Sequence, residues 1–185
     1  VQIATGIGFA LGLILVLLAG AELFTGNTLM TLPLAQRRIG PGALLRAWSL
    51  VWLANLGGAL ALVLLAIGAG LHLEGDGAFA TSAVELAAGK TSKSAGQIIV
   101  SGMLANMLVC LAVWMAAGAK SAVDKVAVIV PPVAAFVALG LEHSIANMSL
   151  LPLGLLAPAV TGAELPAVGH LDRVASIRTA LDPIA

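Results

Sequence analysis

Long apolar runs alternate with short polar connections along this chain, and four runs stand out at residues 3–36, 44–70, 95–119 and 126–158. The middle two have the length of a single helix crossing a hydrocarbon core roughly 30 Å thick. The outer two are longer. Residues 3–36 as one straight helix would extend about 51 Å, more than a bilayer core accommodates. Each long run carries one polar interruption, Ala21-Glu22-Leu23-Phe24-Thr25-Gly26-Asn27 in the first and Leu141-Glu142-His143-Ser144-Ile145-Ala146-Asn147 in the last. In both, a Glu precedes an Asn by five positions. Breaks at residues 24–27 and 142–147 resolve the excess length. The first run then divides into a spanning part at 3–23 and a half-helix at 28–36. Ionisable residues inside spanning segments face a cavity, pair, or mark a pathway. Two matching interruptions in the two halves of a chain predict broken helices that meet near the midplane, the pattern of an inverted-repeat transport protein.

The connections orient these spans. Arg37-Arg38-Ile39-Gly40-Pro41-Gly42 is a basic turn. Residues 71–94 form a polar loop with a short interfacial helix expected at 80–88, and residues 120–125 form a short loop. The turn and the short loop share one side, where Arg37, Arg38, Arg46, Lys120 and Lys125 place the cytoplasm. Residues 159–185, with Glu164, His170, Asp172, Arg173, Arg178 and Asp182, make a polar tail expected outside the cytoplasm. Pro131-Pro132 predicts a kink in the fourth run. Gly8 and Gly12 are spaced as a helix contact. Trp48 and Trp114 read as interface anchors, Asn55 as interhelical glue, and Asn106 as a polar group on a path through the protein.

Composition agrees with the pattern. The chain of 185 residues is 60% hydrophobic and 10% charged, and its mean hydropathy is +1.07. Soluble domains carry roughly 25% charged residues, so this is an integral, multi-pass membrane protein, expected in the cell (inner) membrane. A net charge of zero offers no basic face for nucleic acid. The single Cys110 forms no intrachain disulfide and reads as a packing residue. No basic segment of a signal peptide precedes the first run, and the absence of an initial Met leads to the expectation of a fragment.

An intramembrane enzyme finds no support. The chain contains neither His-Glu-x-x-His nor Gly-x-Ser-x-Gly, and no second histidine within a span to share a metal. His143 and Ser144 are adjacent, so on a helix their side chains diverge by about 100° and form no dyad. A neutral-solute pore of aquaporin type would want paired Asn-Pro-Ala turns, and none occurs. No cofactor and no metal is expected.

The two interrupted segments resemble the signature segments of the formate/nitrite transporter family. Leu104-Ala105-Asn106-Met107-Leu108-Val109-Cys110-Leu111-Ala112-Val113-Trp114 resembles its fourth-helix motif, and Ser121-x-x-Asp124-Lys125 fits the loop that follows. The resemblance runs from about residue 1 to 158. It implies an all-α membrane protein with an aquaporin-like inverted repeat and two broken helices, of which this chain carries about four of the family's six spans. It further implies a homopentamer with a pore in each protomer for small monovalent anions such as formate, nitrite or hydrosulfide. Carried over position by position, the central pore residues are His143 and Thr25. Phe9 and Phe136 correspond to one apolar constriction, and Leu13, Leu23 and Phe24 to the other. Asn106 and Asn147 correspond to polar lining, and Lys90 to a charge in the vestibule. A non-conducting fragment or assembly subunit of such a channel is the alternative.

Physical reasoning gives these residues work. A bare anion meets a large desolvation penalty in an apolar slit, and a neutral weak acid a small one. A histidine between two constrictions attracts the anion as imidazolium and donates a proton to it. Thr25 offers a hydroxyl, and half-helix N-termini offer free N–H groups. Lys90 raises the anion concentration at the mouth. Glu22 and Glu142 are expected to support the breaks by accepting from N–H groups freed there.

Overall fold

The computed structural model describes residues 2–161, and most of the expected tail, from Glu164 to Asp182, lies outside the described residues. The helices are α1 (Gln2–Ala19), α2 (Phe24–Asn27), α3 (Thr31–Ala35), α4 (Pro41–Gly68), α5 (Ala78–Thr91), α6 (Ala95–Gly118), α7 (Ala122–Ala138) and α8 (Ser144–Thr161). Short 3-10 turns at Thr28–Met30 and Leu71–Leu73 complete the described secondary structure, which contains no strand. The fold is all-α, as the apolar runs predict.

By length and composition α4 and α6 can each cross a membrane, and the pair Ala4–Ala19 and Phe24–Ala35, bent by 62°, makes a third span if counted together. The four expected spans are therefore only partly matched by that measure. α7 has 17 residues, about 26 Å of helix, and α8 is parted from it at residues 139–143. The region 71–94 is more ordered than a loop: α5 extends over 14 residues, Ala78–Thr91. α4 starts three residues earlier than its apolar run, with Pro41 as its first residue, where proline is favoured because the first helical N–H has no partner anyway.

Both breaks lie earlier than expected, and both are built alike. α1 ends at Ala19, Gly20 takes a left-handed φ of +72°, and the chain becomes helical again at Phe24. α7 ends at Ala138, Gly140 takes a φ of +62°, and α8 begins at Ser144. In each case the residue after the glycine closes the helix: Ala21 N–H donates to Val16 O at 2.9 Å and Leu141 N–H to Phe136 O at 3.1 Å. This is the Schellman end, which requires a residue with little steric cost at positive φ. The signal that stops each helix is thus the glycine, and the Glu and Asn follow it. Residues 24–27, expected to be the gap, are the helical turn beyond it.

The described residues divide into two compact units, one of residues 2–57 with Gly96–Ile145 and the other of Gly58–Ala95 with residues 146–161. The first unit has a core of Ala10 and Leu13 from α1, Ala105, Val109, Ala112 and Ala116 from α6, and Ile129, Val133 and Phe136 from α7. On α6 these positions recur at intervals of four, three and four, one stripe of a helix. Their small side chains let backbones approach, which is how helices gain contact where lipid is as apolar as the interface. In the second unit α5 buries Ala80, Ala83, Val84 and Ala88.

α7 begins with a capping box. Asp124 N–H donates to Ser121 Oγ and Ser121 N–H to Asp124 Oδ2, both at 3.1 Å. Ser121→Ala removes one of these bonds and is expected to lower stability by about 1 kcal/mol. Denaturant titration of the solubilised protein measures this, and an unchanged midpoint would refute it.

Candidate functional site

Five side chains that the sequence singles out come together in the first unit. Thr25, Phe24, Asn106, Glu142 and His143 line one cavity of about 340 Å³, with Thr28, Gly102, Met103 and Ser144 among the other lining residues. Each break supplies part of it. Thr25 sits in α2, the first turn of the helical stretch after the first break, and Glu142 and His143 form the end of the second break, just before α8. The lining from α6 includes Gly102 and Asn106, one turn apart. The site therefore exists because two helices stop, and because a third passes beside both stops.

His143 is only 6% exposed. Its ring stacks on Phe136, with centroids 5.6 Å apart and planes at 23°, and meets the edge of Phe9 at 6.4 Å. Phe9 and Phe136 in turn pack edge to face at 5.4 Å. The two residues assigned to one constriction thus form an aromatic pair directly against the histidine. Such a pair holds an imidazole in one orientation. Leu13 is buried in the α1–α6–α7 core, and Leu23 packs against that core.

Thr25 is 5% exposed, and its Oγ1 has no hydrogen-bond partner among the described residues. An unmatched buried hydroxyl is costly, and native proteins retain few of them. Thr28, one turn on, is engaged: its hydroxyl donates to Thr25 O at 2.7 Å and accepts from Asn106 Nδ2 at 3.1 Å. Cys110 Sγ lies 3.1 Å from the same hydroxyl and donates to Thr25 O at 3.6 Å. Cys110 is thus more than a packing residue, because it ties α6 to the turn that carries Thr25. Asn106 combines both roles open to it, lining the cavity and bonding another element.

The backbone groups freed at the breaks find side chains from neighbouring helices. Phe24 N–H donates to Asn55 Oδ1 at 2.9 Å, and Glu142 N–H donates to Ser101 Oγ at 2.9 Å. The Glu22 carboxylate, expected to accept such a bond, is exposed, and it is the Glu22 carbonyl that accepts from Asn55 Nδ2 at 3.0 Å. Glu142 is 3% exposed and lines the cavity. The same motif thus places one carboxylate outward and the other inward. Trp48 is not simply an interface anchor: its Nε1–H donates to Asn27 O at 3.0 Å. Ser101 and Trp48 carry no signal for these roles in the sequence. Lys90, in the last turn of α5, and Asn147, in the first turn of α8, belong to the second unit. Among the described residues no group of three or more His, Cys, Asp or Glu side chains is placed to hold a metal.

Comparison with known proteins supplies the context for this geometry. The profile of the family described as Formate/nitrite transporter matches residues 1–173. The formate channel FocA of Escherichia coli (strain K12) is 41% identical over 155 residues, 84% of this chain and 54% of that protein. The nitrite transporter NirC of the same strain is 36% identical over 167 residues, 89% of this chain and 61% of that protein. The chain thus spans about half the length of FocA, the first of these curated relatives. A solved pentameric formate channel with formate bound superposes with a TM-score of 0.79 at 34% identity, over 89% of this chain and 68% of its own.

Proposed function

This chain belongs to the formate/nitrite transporter family, a family of channels and transporters rather than enzymes, and on that premise we propose that it forms a pore for small monovalent anions of weak acids, with His143 and Thr25 handling the anion. One observation carries the reading. A buried hydroxyl without a partner among the described residues, Thr25 Oγ1, lines the same cavity as the buried imidazole of His143. A small anion with hydrogen-bond acceptors satisfies that hydroxyl, and an imidazolium compensates the anion's charge.

Passage then follows from protonation. The anion enters the cavity and accepts a hydrogen bond from Thr25. Protonated His143 transfers its proton to the anion, leaving a neutral imidazole and a neutral acid. The acid crosses the apolar slit at far smaller desolvation cost than the anion. His143 regains a proton from water on the acidic side. Phe9 and Phe136 border the histidine at one constriction, and Leu13, Leu23 and Phe24 form the other. Asn106 and Asn147 line the path in polar fashion, and Lys90 concentrates anions at the vestibule. Glu22 and Glu142 belong to the break segments, where backbone groups must find partners away from water. A homopentamer, each protomer with its own pore, fits the pentameric channel that the fold resembles.

Formate, nitrite and hydrosulfide share charge and small size, and all three are candidate substrates. Uptake of each into liposomes carrying the purified protein, against protein-free liposomes, tests the reading. Flux of at least one, lowered about tenfold in Thr25→Val through loss of one hydrogen bond to a charged group, is expected. Flux unaffected by Thr25→Val would remove Thr25 from the mechanism. Absence of flux for all three anions would favour the non-conducting assembly subunit.

A further inference from the structure

Beyond the first break the chain is helical from Phe24 to Ala35, as α2, the 3-10 turn Thr28–Met30 and α3 in succession, and so short a helix is marginal without contacts from outside. Its first turn, Phe24–Asn27, carries the Thr25 hydroxyl. Its Leu23 N-cap is extended, with φ −117° and ψ 122°, and provides no side-chain cap. The free N–H groups at the start of this turn therefore need partners from outside the helix.

Two residues of α4 hold it at both ends. Asn55 Oδ1 accepts from Phe24 N–H, the first donor of the turn, at 2.9 Å, while its Nδ2 donates to Glu22 O at 3.0 Å. The side-chain amide thus bridges the peptide groups on both sides of Leu23. Trp48 Nε1–H donates to Asn27 O, on the last residue of the turn, at 3.0 Å. The indole also meets the Phe24 ring edge to face, centroids 6.0 Å apart. Trp48 and Asn55 are seven positions apart on α4, two turns along one face. They form a clasp whose two jaws grip the beginning and the end of α2. Thr25 lies between the jaws, with Leu23 and Phe24 at one of them.

We propose that Trp48 and Asn55 are positioning residues of the pore, setting where the Thr25 hydroxyl stands and how the Leu23–Phe24 constriction projects. The role rests on the reading that Thr25 handles the anion. It differs from simple interhelical adhesion because it acts through one residue. If the clasp slackens, α2 keeps its sequence but loses its register, and the anion loses the hydrogen bond from Thr25. Maximal flux depends on how many pores are intact, whereas the half-saturating concentration depends on that bond.

A double-mutant cycle separates these meanings. Trp48→Phe keeps an aromatic ring for Phe24 to meet and deletes the N–H donor. Asn55→Ala deletes both amide bonds. Formate flux is measured against concentration for each, alone and combined with Thr25→Val. The expected result is a half-saturating concentration raised about tenfold in Asn55→Ala, the scale of one hydrogen bond to a charged group. In the Thr25→Val background the same substitution should change it less than about twofold, because the bond it controls is already gone. Equal fold-changes in both backgrounds would overturn the proposal.

Hydrogen exchange at the Phe24 amide gives a readout independent of flux. It should accelerate about tenfold in Asn55→Ala, as expected for loss of its hydrogen bond. Unchanged exchange would overturn the clasp even if flux fell. Should Asn55→Ala fail to fold, Trp48→Phe carries the cycle, with exchange over the segment containing Phe24 and Asn27 as its second readout. Wild-type protein that passes no anion would overturn the transport reading, and the exchange measurement would then decide the clasp alone.

Discussion

In His143→Asn, anion flux is expected to lose its stimulation by acid. Acid converts an imidazole to an imidazolium, so flux is compared between roughly pH 7.5 and 5.5. If imidazolium is the form that draws in and protonates the anion, wild-type flux should rise as the pH falls over that interval. The sign follows from the charge: acid creates the cation, and the cation favours the anion. Asparagine approximates the size and hydrogen bonding of the ring but carries no proton in this range, so its pH profile should be flat once leakage through lipid is subtracted. The described titratable side chains lining the cavity are His143 and Glu142. Glu142→Gln therefore serves as the control and should retain the acid stimulation. A steep profile in His143→Asn, flattened instead by Glu142→Gln, would transfer the role to the carboxylate.

Two glycines are expected to be the most sensitive packing positions. A Cβ on Gly6 of α1 would stand 2.7 Å from the Cα of Ala134 in α7, and one on Gly154 of α8 would stand 2.6 Å from Ala87 Cβ and 2.7 Å from Ala83 O in α5. The obstacles are mostly backbone atoms, which cannot rotate away as a flexible side chain would. α1 and α7, or α8 and α5, would have to separate. Gly6→Ala and Gly154→Ala should each cost about 1–3 kcal/mol, the range of overpacking in close-packed interiors, and larger residues should prevent assembly. Gly89→Ala is the contrast. It lies in α5 with nothing within 4 Å of the new atom, so it should gain up to about 1 kcal/mol from helix propensity. Thermal unfolding of the solubilised protein orders the three. If Gly6→Ala and Gly154→Ala were as stable as Gly89→Ala, the close approach of these helix pairs would be disproved.

These glycines show where a sequence runs out. Gly6 and Gly154 look like any other glycine of an apolar run, and only a partner backbone distinguishes them. The same holds for the motif at the breaks. Glu22 and Glu142 occupy matching places five residues before an Asn, yet one is exposed and the other is 3% exposed against the cavity. A repeat in the sequence does not imply a repeat in the surroundings, because different helices lie beside the two copies.

What the sequence by itself determined is whatever follows from the cost of polar groups in hydrocarbon. That cost makes the apolar runs helical and membrane-spanning. It also makes a carboxylate and an asparagine within them informative, and locates both breaks to within a few residues. The resemblance in the surrounding motifs then linked His143 to Thr25 before any distance was known. Only the tertiary structure decided how the breaks are held. The partner of the Phe24 N–H is Asn55, 31 positions away, and that of the Glu142 N–H is Ser101, 41 positions away. Such bonds depend on which face of α4 or α6 lies beside a break. That is fixed by the packing of whole helices against one another, and no local pattern of residues encodes it.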